Sequence, residues 1–309
     1  MTDTVRSAGT ALANLKGRLV GRQRELELVL AALDAGRHIV IEGPPGTGKS
    51  TLLRAVADEL GVGFEFVEGN AELTPARLVG HFDPAQVLTT GYDPDVFVDG
   101  ALVRALRDGA LLYVEEVNRV PEETLNVLIT VMSEGELHVP RLGSVAAAPG
   151  FRLVAAMNPF DAIGTARISS AVYDRVCRVS IGYQDAADET AIVARHGAPQ
   201  PDEWLAKVVE VVRRTRSHAD LRHGSSVRGA IDTAKVAASL AGIRGLPTTD
   251  TGVGLDAALV ALSGRIRMRE GVSRSTEDVI GELWAAVFSA PDEDDEGKAP
   301  APNGATATG

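Results

Sequence analysis

The chain's densest chemistry lies in Gly43-Pro44-Pro45-Gly46-Thr47-Gly48-Lys49-Ser50, with Thr51 directly behind. This spacing fits a P-loop, a turn of backbone N–H groups that closes on phosphate oxygens at the start of a helix. The glycines permit backbone angles and a close approach that side chains would block. Lys49 then reaches the β- and γ-phosphates of a nucleoside triphosphate, and the Ser50 hydroxyl ligates Mg²⁺. Two acids, Glu115 and Glu116, follow the apolar run Ala110-Leu111-Leu112-Tyr113-Val114. Acids that end a buried strand lie where α/β proteins bind ligands. One carboxylate can hold the Mg²⁺ shell while its neighbour polarises a water. Asn158, in Met157-Asn158-Pro159, offers an amide to that water or to the γ-phosphate, against the plainer alternative of an Asn-Pro turn. Arg228 follows the cap candidates Ser225 and Ser226, and a cation in a first helical turn opposes the helix dipole unless a phosphate sits there.

These side chains need a scaffold that brings them to one edge. His38-Ile39-Val40-Ile41 reads as a buried strand entering the P-loop, and Leu52, Leu53, Val56, Ala57 and Leu60 recur at helical spacing after it. Phe64-Glu65-Phe66-Val67, the run ending at Val114, Phe151-Arg152-Leu153-Val154-Ala155-Ala156 and Val176-Cys177-Arg178-Val179-Ser180-Ile181 are four further strand candidates. Strands alternating with helical patterns predict an α/β fold around a five-stranded parallel sheet. Residues 73–100, broken by Pro75, Pro84 and Pro94, are long for a connection and suggest a functional loop or insertion. Pro121 opens a helix, after which Glu136-Leu137-His138-Val139 and Leu142-Gly143-Ser144-Val145 pair as a hairpin around Pro140-Arg141. From Gln184 the pattern is helical over residues 187–195, 201–217, 225–241, 255–268 and 276–288, which predicts a smaller all-α unit. The expected organisation is a loosely attached arm over 1–18, a nucleotide-binding core over 19–184, a helical lid over 185–289 and a disordered acidic tail over 290–309.

Composition narrows the class. The 309 residues are 45% apolar, enough for a real core. The net charge of −11 argues against nonspecific nucleic-acid binding, which needs a basic footprint. The single cysteine, Cys177, excludes an internal disulfide and a multi-cysteine metal site, fits a reducing cytosol, and is expected as a small buried residue. No apolar run approaches the roughly 18 residues of a membrane span, and no signal-peptide pattern opens the chain, so a soluble cytoplasmic protein is expected.

Five strands separated by helices and followed by a helical unit resemble the AAA+ ATPases over about residues 17–289. Glu115-Glu116-Val117-Asn118-Arg119, the helix and hairpin before Asn158-Pro159, and Gly224-Ser225-Ser226-Val227-Arg228 narrow the resemblance to the MoxR-like branch. Within it, Glu68-Gly69-Asn70-Ala71-Glu72-Leu73-Thr74 and the run from Asn118 to Leu137 are most similar to the CoxD type, associated with carbon monoxide dehydrogenase maturation. The resemblance implies ATP as the nucleotide, where base-reading residues are not visible. It implies Glu116 as the catalytic Walker B glutamate, Asn158 as sensor 1 and Arg228 as sensor 2. Arg175, in Tyr173-Asp174-Arg175, matches the arginine finger that serves a neighbouring subunit's γ-phosphate, with Arg178 as the alternative. Asn70 is implied as a restraint on Glu116, and Glu115 stands where Asp is usual. A shared site needs a head-to-tail interface, which closes into a ring or runs into a filament; the resemblance implies a ring, usually a hexamer. Partner contacts are implied at an insertion over about residues 80–98 and at the hairpin over 135–145, with a separate von Willebrand factor A domain protein as partner. The implied function is a Mg²⁺-dependent ATPase that remodels, activates or assists metal-cofactor maturation of a client. A nucleotide-gated scaffold with negligible turnover and a DNA-linked AAA+ motor are the alternatives; the acidic charge disfavours the second.

Overall fold

The computed structural model describes residues 8–159 and 168–289. The chain divides into two compact units, Met1–Asp188 and Glu189–Gly309. In the first, strands His38–Glu42, Phe64–Glu68, Leu111–Glu115, Arg152–Met157 and Val176–Ser180 form one parallel sheet. Across the sheet they stand in the chain order second, third, fourth, first, fifth. Both faces of the three central strands are covered, which is why His38–Glu42, Leu111–Glu115 and Arg152–Met157 read as near-continuous apolar runs, while the edge strands Phe64–Glu68 and Val176–Ser180 carry polar residues. Ile39 and Ile41 pack with Leu52, Leu53 and Val56 on one face. Val40 packs with Leu112 and Val114 on the other. Strand His38–Glu42 lies where the winding reverses, the position at which open α/β sheets bind ligands beyond their carboxyl ends. Register places Glu42 beside both Met157 and Ser180, and Glu68 beside Glu115.

In the first unit two local expectations differ from the structure, and the irregular stretch takes a definite form. The arm expected over 1–18 contains helix Ala8–Leu15, whose Ala11 and Leu15 are fully buried against the P-loop helix Lys49–Leu60. Asn14 Nδ2 ties it down by donating to Glu59 Oε1 at 2.7 Å. Its small residues permit close packing, whereas in the sequence they resemble a linker. The irregular stretch after Leu73 folds into helix Pro75–Val79, an antiparallel pair Gly80–Phe82 with Phe97–Asp99, and helix Pro84–Thr90 between those strands. Thr74, Asp83 and Asp93 cap its successive turns. Cys177, expected buried, is exposed because it lies on edge strand Val176–Ser180. The expected hairpin forms between Glu136–Val139 and Gly143–Ala146.

The second unit packs helices Asp202–Thr215, Val227–Arg244, Thr251–Leu262 and Thr276–Phe288 around Trp204, Trp284 and neighbouring aliphatics. The Trp284 and Phe288 rings stack at 4.0 Å. A Cβ on Gly254 would lie 2.4 Å from Trp284, so glycine is needed there. The helix expected over 255–268 instead starts at Thr251, because the Asp250 carboxylate accepts from Val253 N at 2.9 Å, and it ends at Leu262. Arg267–Met268 then pairs with Leu221–His223 as a short antiparallel ribbon that helical periodicity does not reveal. Among the described residues, no helix is long and apolar enough to cross a membrane. The acidic tail over 290–309 lies outside the described residues.

Candidate functional site

The P-loop leaves the sheet pinned on both sides. Gly43 N donates to Met157 O at 3.1 Å, and Ile181 N donates to Glu42 O at 2.7 Å. A Cβ on Gly43 would lie 2.1 Å from Ile181 O, so only glycine fits between these strands. Gly46 and Gly48 take left-handed angles, φ 74° and 83°, and Gly48 leads directly into helix Lys49–Leu60. Thr47 Oγ1 donates to Pro44 O at 2.9 Å. Lys49 Nζ donates to Gly43 O at 2.9 Å and Pro44 O at 3.0 Å, folding back on the loop that would hold the phosphates. Arg22 is buried beneath it. Its Nη2 donates to Thr47 O at 3.1 Å and Gly182 O at 2.7 Å, while Nη1 donates to Glu25 Oε1 at 2.8 Å. Sequence reasoning passes over Arg22; the only local signal is a cation immediately before helix Gln23–Asp34.

The paired acids divide as their backbones dictate. Ser50 Oγ lies 3.1 Å from Glu115 Oε2, 3.3 Å from Glu115 Oε1 and 3.3 Å from the Tyr113 hydroxyl. Tyr113 alternates onto the same strand face as Glu115, and burial holds its phenol above the usual range. Serine and carboxylate oxygens fit Mg²⁺, which is usually bound through one or two carboxylates plus substrate phosphates. Among the described residues there is no cluster of three or more His, Cys, Asp or Glu that could hold a metal ion.

Glu116 sits at φ 53°, ψ 43°, a left-handed conformation that costs a non-glycine residue about 1–2 kcal/mol. Arg119 holds it there: its N donates to Glu116 O at 2.8 Å, and its Nε lies 3.1 Å from Glu116 Oε2. Gly69 N donates to Glu115 O at 2.7 Å, and a Cβ on Gly69 would lie 2.4 Å from Glu116 O. Gly69 therefore allows the end of strand Phe64–Glu68 to clamp the backbone of both acids, a role its place in the sequence does not announce. Asn70 is not brought onto Glu116: its Oδ1 accepts from Glu72 N at 2.9 Å and its Nδ2 donates to Glu68 O at 3.3 Å. Asn158 follows strand Arg152–Met157 at the edge where Met157 stands beside Glu42.

The two candidate finger arginines differ in their partners. Arg175 is exposed, with Nε on Ser133 Oγ and Nη1 donating to Ala171 O at 2.8 Å. Arg178 Nε donates to Glu42 Oε2 at 2.7 Å, and the Tyr173 hydroxyl donates to Glu42 Oε1 at 2.8 Å. Burial, and then Glu42, push the Tyr173 phenol up to about 12. Glu42 closes an apolar strand one residue before the P-loop, and sequence reasoning gives it no role.

In the second unit, Arg228 is exposed on the first turn of helix Val227–Arg244. Neither expected serine caps that helix: Ser226 makes no side-chain cap, and Ser225 Oγ donates to Ser226 O at 3.2 Å. The segment before it is fixed elsewhere, by Ser225 N donating to Thr215 Oγ1 at 2.9 Å and Arg216 Nε to Ser225 O at 2.7 Å.

Residues 38–176 match the AAA domain (dynein-related subfamily). The gas vesicle ATPase GvpN1 of Halobacterium salinarum is 28% identical over 264 residues, covering 80% of this chain and 76% of that protein. The protein YeaC of Bacillus subtilis is 26% identical over 261 residues, covering 75% and 78%. Among solved structures, a variant of RuvB from Thermotoga maritima has a TM-score of 0.55 at 18% identity, covering 79% of this chain and 71% of that one. RuvB is a Holliday junction branch migration motor, and at this identity the likeness speaks of the fold alone.

Proposed function

We propose, starting from an ATP hydrolase built on an AAA+ core, that this chain is of the MoxR-like branch and turns ATP over at the interfaces of a ring to remodel a client protein. The carrying observation is the carboxyl edge of the sheet, where the Ser50–Glu115 pair adjoins a strained, clamped Glu116. Non-glycine residues held in left-handed backbone cluster at functional sites, where surrounding structure over-determines them.

Lys49 leaves the carbonyls of Gly43 and Pro44 for the β- and γ-phosphates, and the P-loop N–H groups orient them. Ser50 and Glu115 would hold Mg²⁺, which offsets phosphate charge. Glu116 accepts a hydrogen bond from the attacking water and aligns it, with Asn158 as a second contact. The water oxygen bonds to the γ-phosphorus as the bond to the ADP oxygen breaks, and the water's proton passes by way of Glu116 to solvent or phosphate. Arg175 of an adjacent copy offsets transition-state charge, a contribution of about 10³ to 10⁵ in rate where such fingers act. Arg228, at an uncapped helix start, reads the phosphates.

A finger given to a neighbour calls for a head-to-tail interface, which closes into a ring, here a hexamer. The chain acts in the cytoplasm on this reading, and the CoxD-like stretches favour a client matured around a metal cofactor, with a separate von Willebrand factor A domain protein as partner. The inserted pair Gly80–Phe82 and Phe97–Asp99 and the hairpin Glu136–Val139 with Gly143–Ala146 would meet them. The test is Glu116→Gln: it retains nucleotide binding and loses about 10² to 10⁴ in turnover, the range of a positioned general base. Wild-type turnover no faster than that of Glu116→Gln would favour a nucleotide-gated scaffold instead.

A further inference from the structure

The carboxylate of Glu42 is only 4% exposed, and the mechanism above leaves it unused. A buried carboxylate needs a partner for its charge and hydrogen bonds for its oxygens. Glu42 takes one partner on each: the Tyr173 hydroxyl on Oε1 and Arg178 Nε on Oε2. Both partners belong to the segment that carries Arg175, and Glu42 itself is bonded to Gly43, whose carbonyl holds Lys49. We propose that Glu42, Tyr173 and Arg178 form a mount that fixes Arg175 relative to the chain's own P-loop, so that one subunit's nucleotide site governs the finger it gives to the next. The proposal rests on the shared-site reading above and deepens it.

The same contacts separate the two arginines. Withdrawing Arg178 would strand a buried carboxylate with one neutral donor, so Arg178 stays at home. Arg175 bonds a hydroxyl and a backbone carbonyl, both neutral, and can leave without stranding a charge. The two states the coupling requires are those of Lys49: on the carbonyls of Gly43 and Pro44, or on phosphate. Displacing Lys49 frees the Gly43 carbonyl, which is one residue from the carboxylate that anchors Tyr173. Tyr173, in turn, stands two residues before Arg175. Glu42 and Tyr173 are positioning residues, since neither is placed to touch the nucleotide's reacting atoms.

The test uses mixed assemblies. Glu116→Gln subunits, silent themselves, are mixed in excess with wild-type subunits, and turnover is measured per wild-type site. Adding Tyr173→Phe to the silent subunit removes one hydroxyl from a partly exposed ring. It lowers turnover at the neighbouring wild-type site by about 10- to 100-fold, the scale of a misplaced reacting group. Fluorescent-nucleotide affinity and assembly by sedimentation stay unchanged. Adding Arg175→Ala instead reports the shared site itself. If Arg175→Ala lowers wild-type turnover and Tyr173→Phe does not, the mount is overturned and the shared site survives. If Arg175→Ala has no effect, both fall.

Discussion

Glu42 in the first unit and Glu189 in the second are both buried acids, and their partners differ in a way that separates a hinge from a rivet. Glu189 is 2% exposed and lies 2.8 Å from Arg216 and 3.1 Å from Arg213, with the Arg216 side chain itself only 13% exposed. Arg216 also donates to Ser225 O, so this cluster anchors the chain just before helix Val227–Arg244. Glu42 is met by Arg178, whose side chain is 60% exposed, and by the partly exposed Tyr173. A freed Arg178 or Tyr173 would meet water, whereas a freed Arg216 would stay largely enclosed. Buried ion pairs are costly to break when one partner is left without water, and the same chemistry near solvent yields more readily. The molecule therefore places the more enclosed cluster just before the helix that presents Arg228, and the cluster whose arginine lies open to solvent beside the P-loop.

That contrast yields graded predictions. The largest effect on stability belongs to Glu189→Ala, which leaves the largely enclosed Arg216 without its carboxylate and should cost about 3–5 kcal/mol in chemical denaturation. A loss below about 1 kcal/mol would dissolve the contrast. Glu42→Gln keeps one acceptor, its amide oxygen for Arg178, while its NH2 can donate to the Tyr173 oxygen; it should cost only about 1–2 kcal/mol, while reducing turnover more than nucleotide affinity. Equal stability losses in the two variants would show that both acids are rivets.

His38, at the start of strand His38–Glu42, sharpens the comparison from the opposite end of the sheet. Its Nδ1 accepts from Leu153 N at 2.9 Å, and burial, then Arg152, hold its pKa down to about 4 from 6.5. The unfolded chain takes up this proton first, so the stabilising contribution is full above about pH 6.5 and is lost as pH falls towards 4. Denaturation midpoints measured across that window should slope for the wild type and flatten in His38→Gln. The smallest stability effect is expected for Arg228→Ala, within about 0.5 kcal/mol because the side chain is exposed. Nucleotide affinity should nevertheless fall, and an unchanged affinity would remove Arg228 from the site.

What the sequence made legible follows the range of the interactions. The P-loop, the acids after Val114 and the five sheet strands announce themselves within a few residues, since backbone hydrogen bonding and face-by-face burial repeat locally. Arg22 reaching Gly182, Tyr173 and Arg178 reaching Glu42, and Gly69 lying against Glu116 join distant segments that share no period. Helix Ala8–Leu15 has only a weak helical pattern in the sequence, and its firm packing is masked for another reason: the alanines that let it pack closely also suit a small-residue, loosely attached arm. Asn70 shows the reverse failure, since its place at a strand end is compatible with contact to Glu116, yet a local turn to Glu72 N takes its side chain.

The most direct test of the shared site is specific ATPase activity against protein concentration for wild type and Arg175→Ala, with sedimentation on the same samples. Wild-type activity per subunit should rise as assembly proceeds, while Arg175→Ala binds ATP, assembles and stays inactive. Activity independent of concentration, together with an unimpaired Arg175→Ala, would contradict a catalytic site completed by its neighbour.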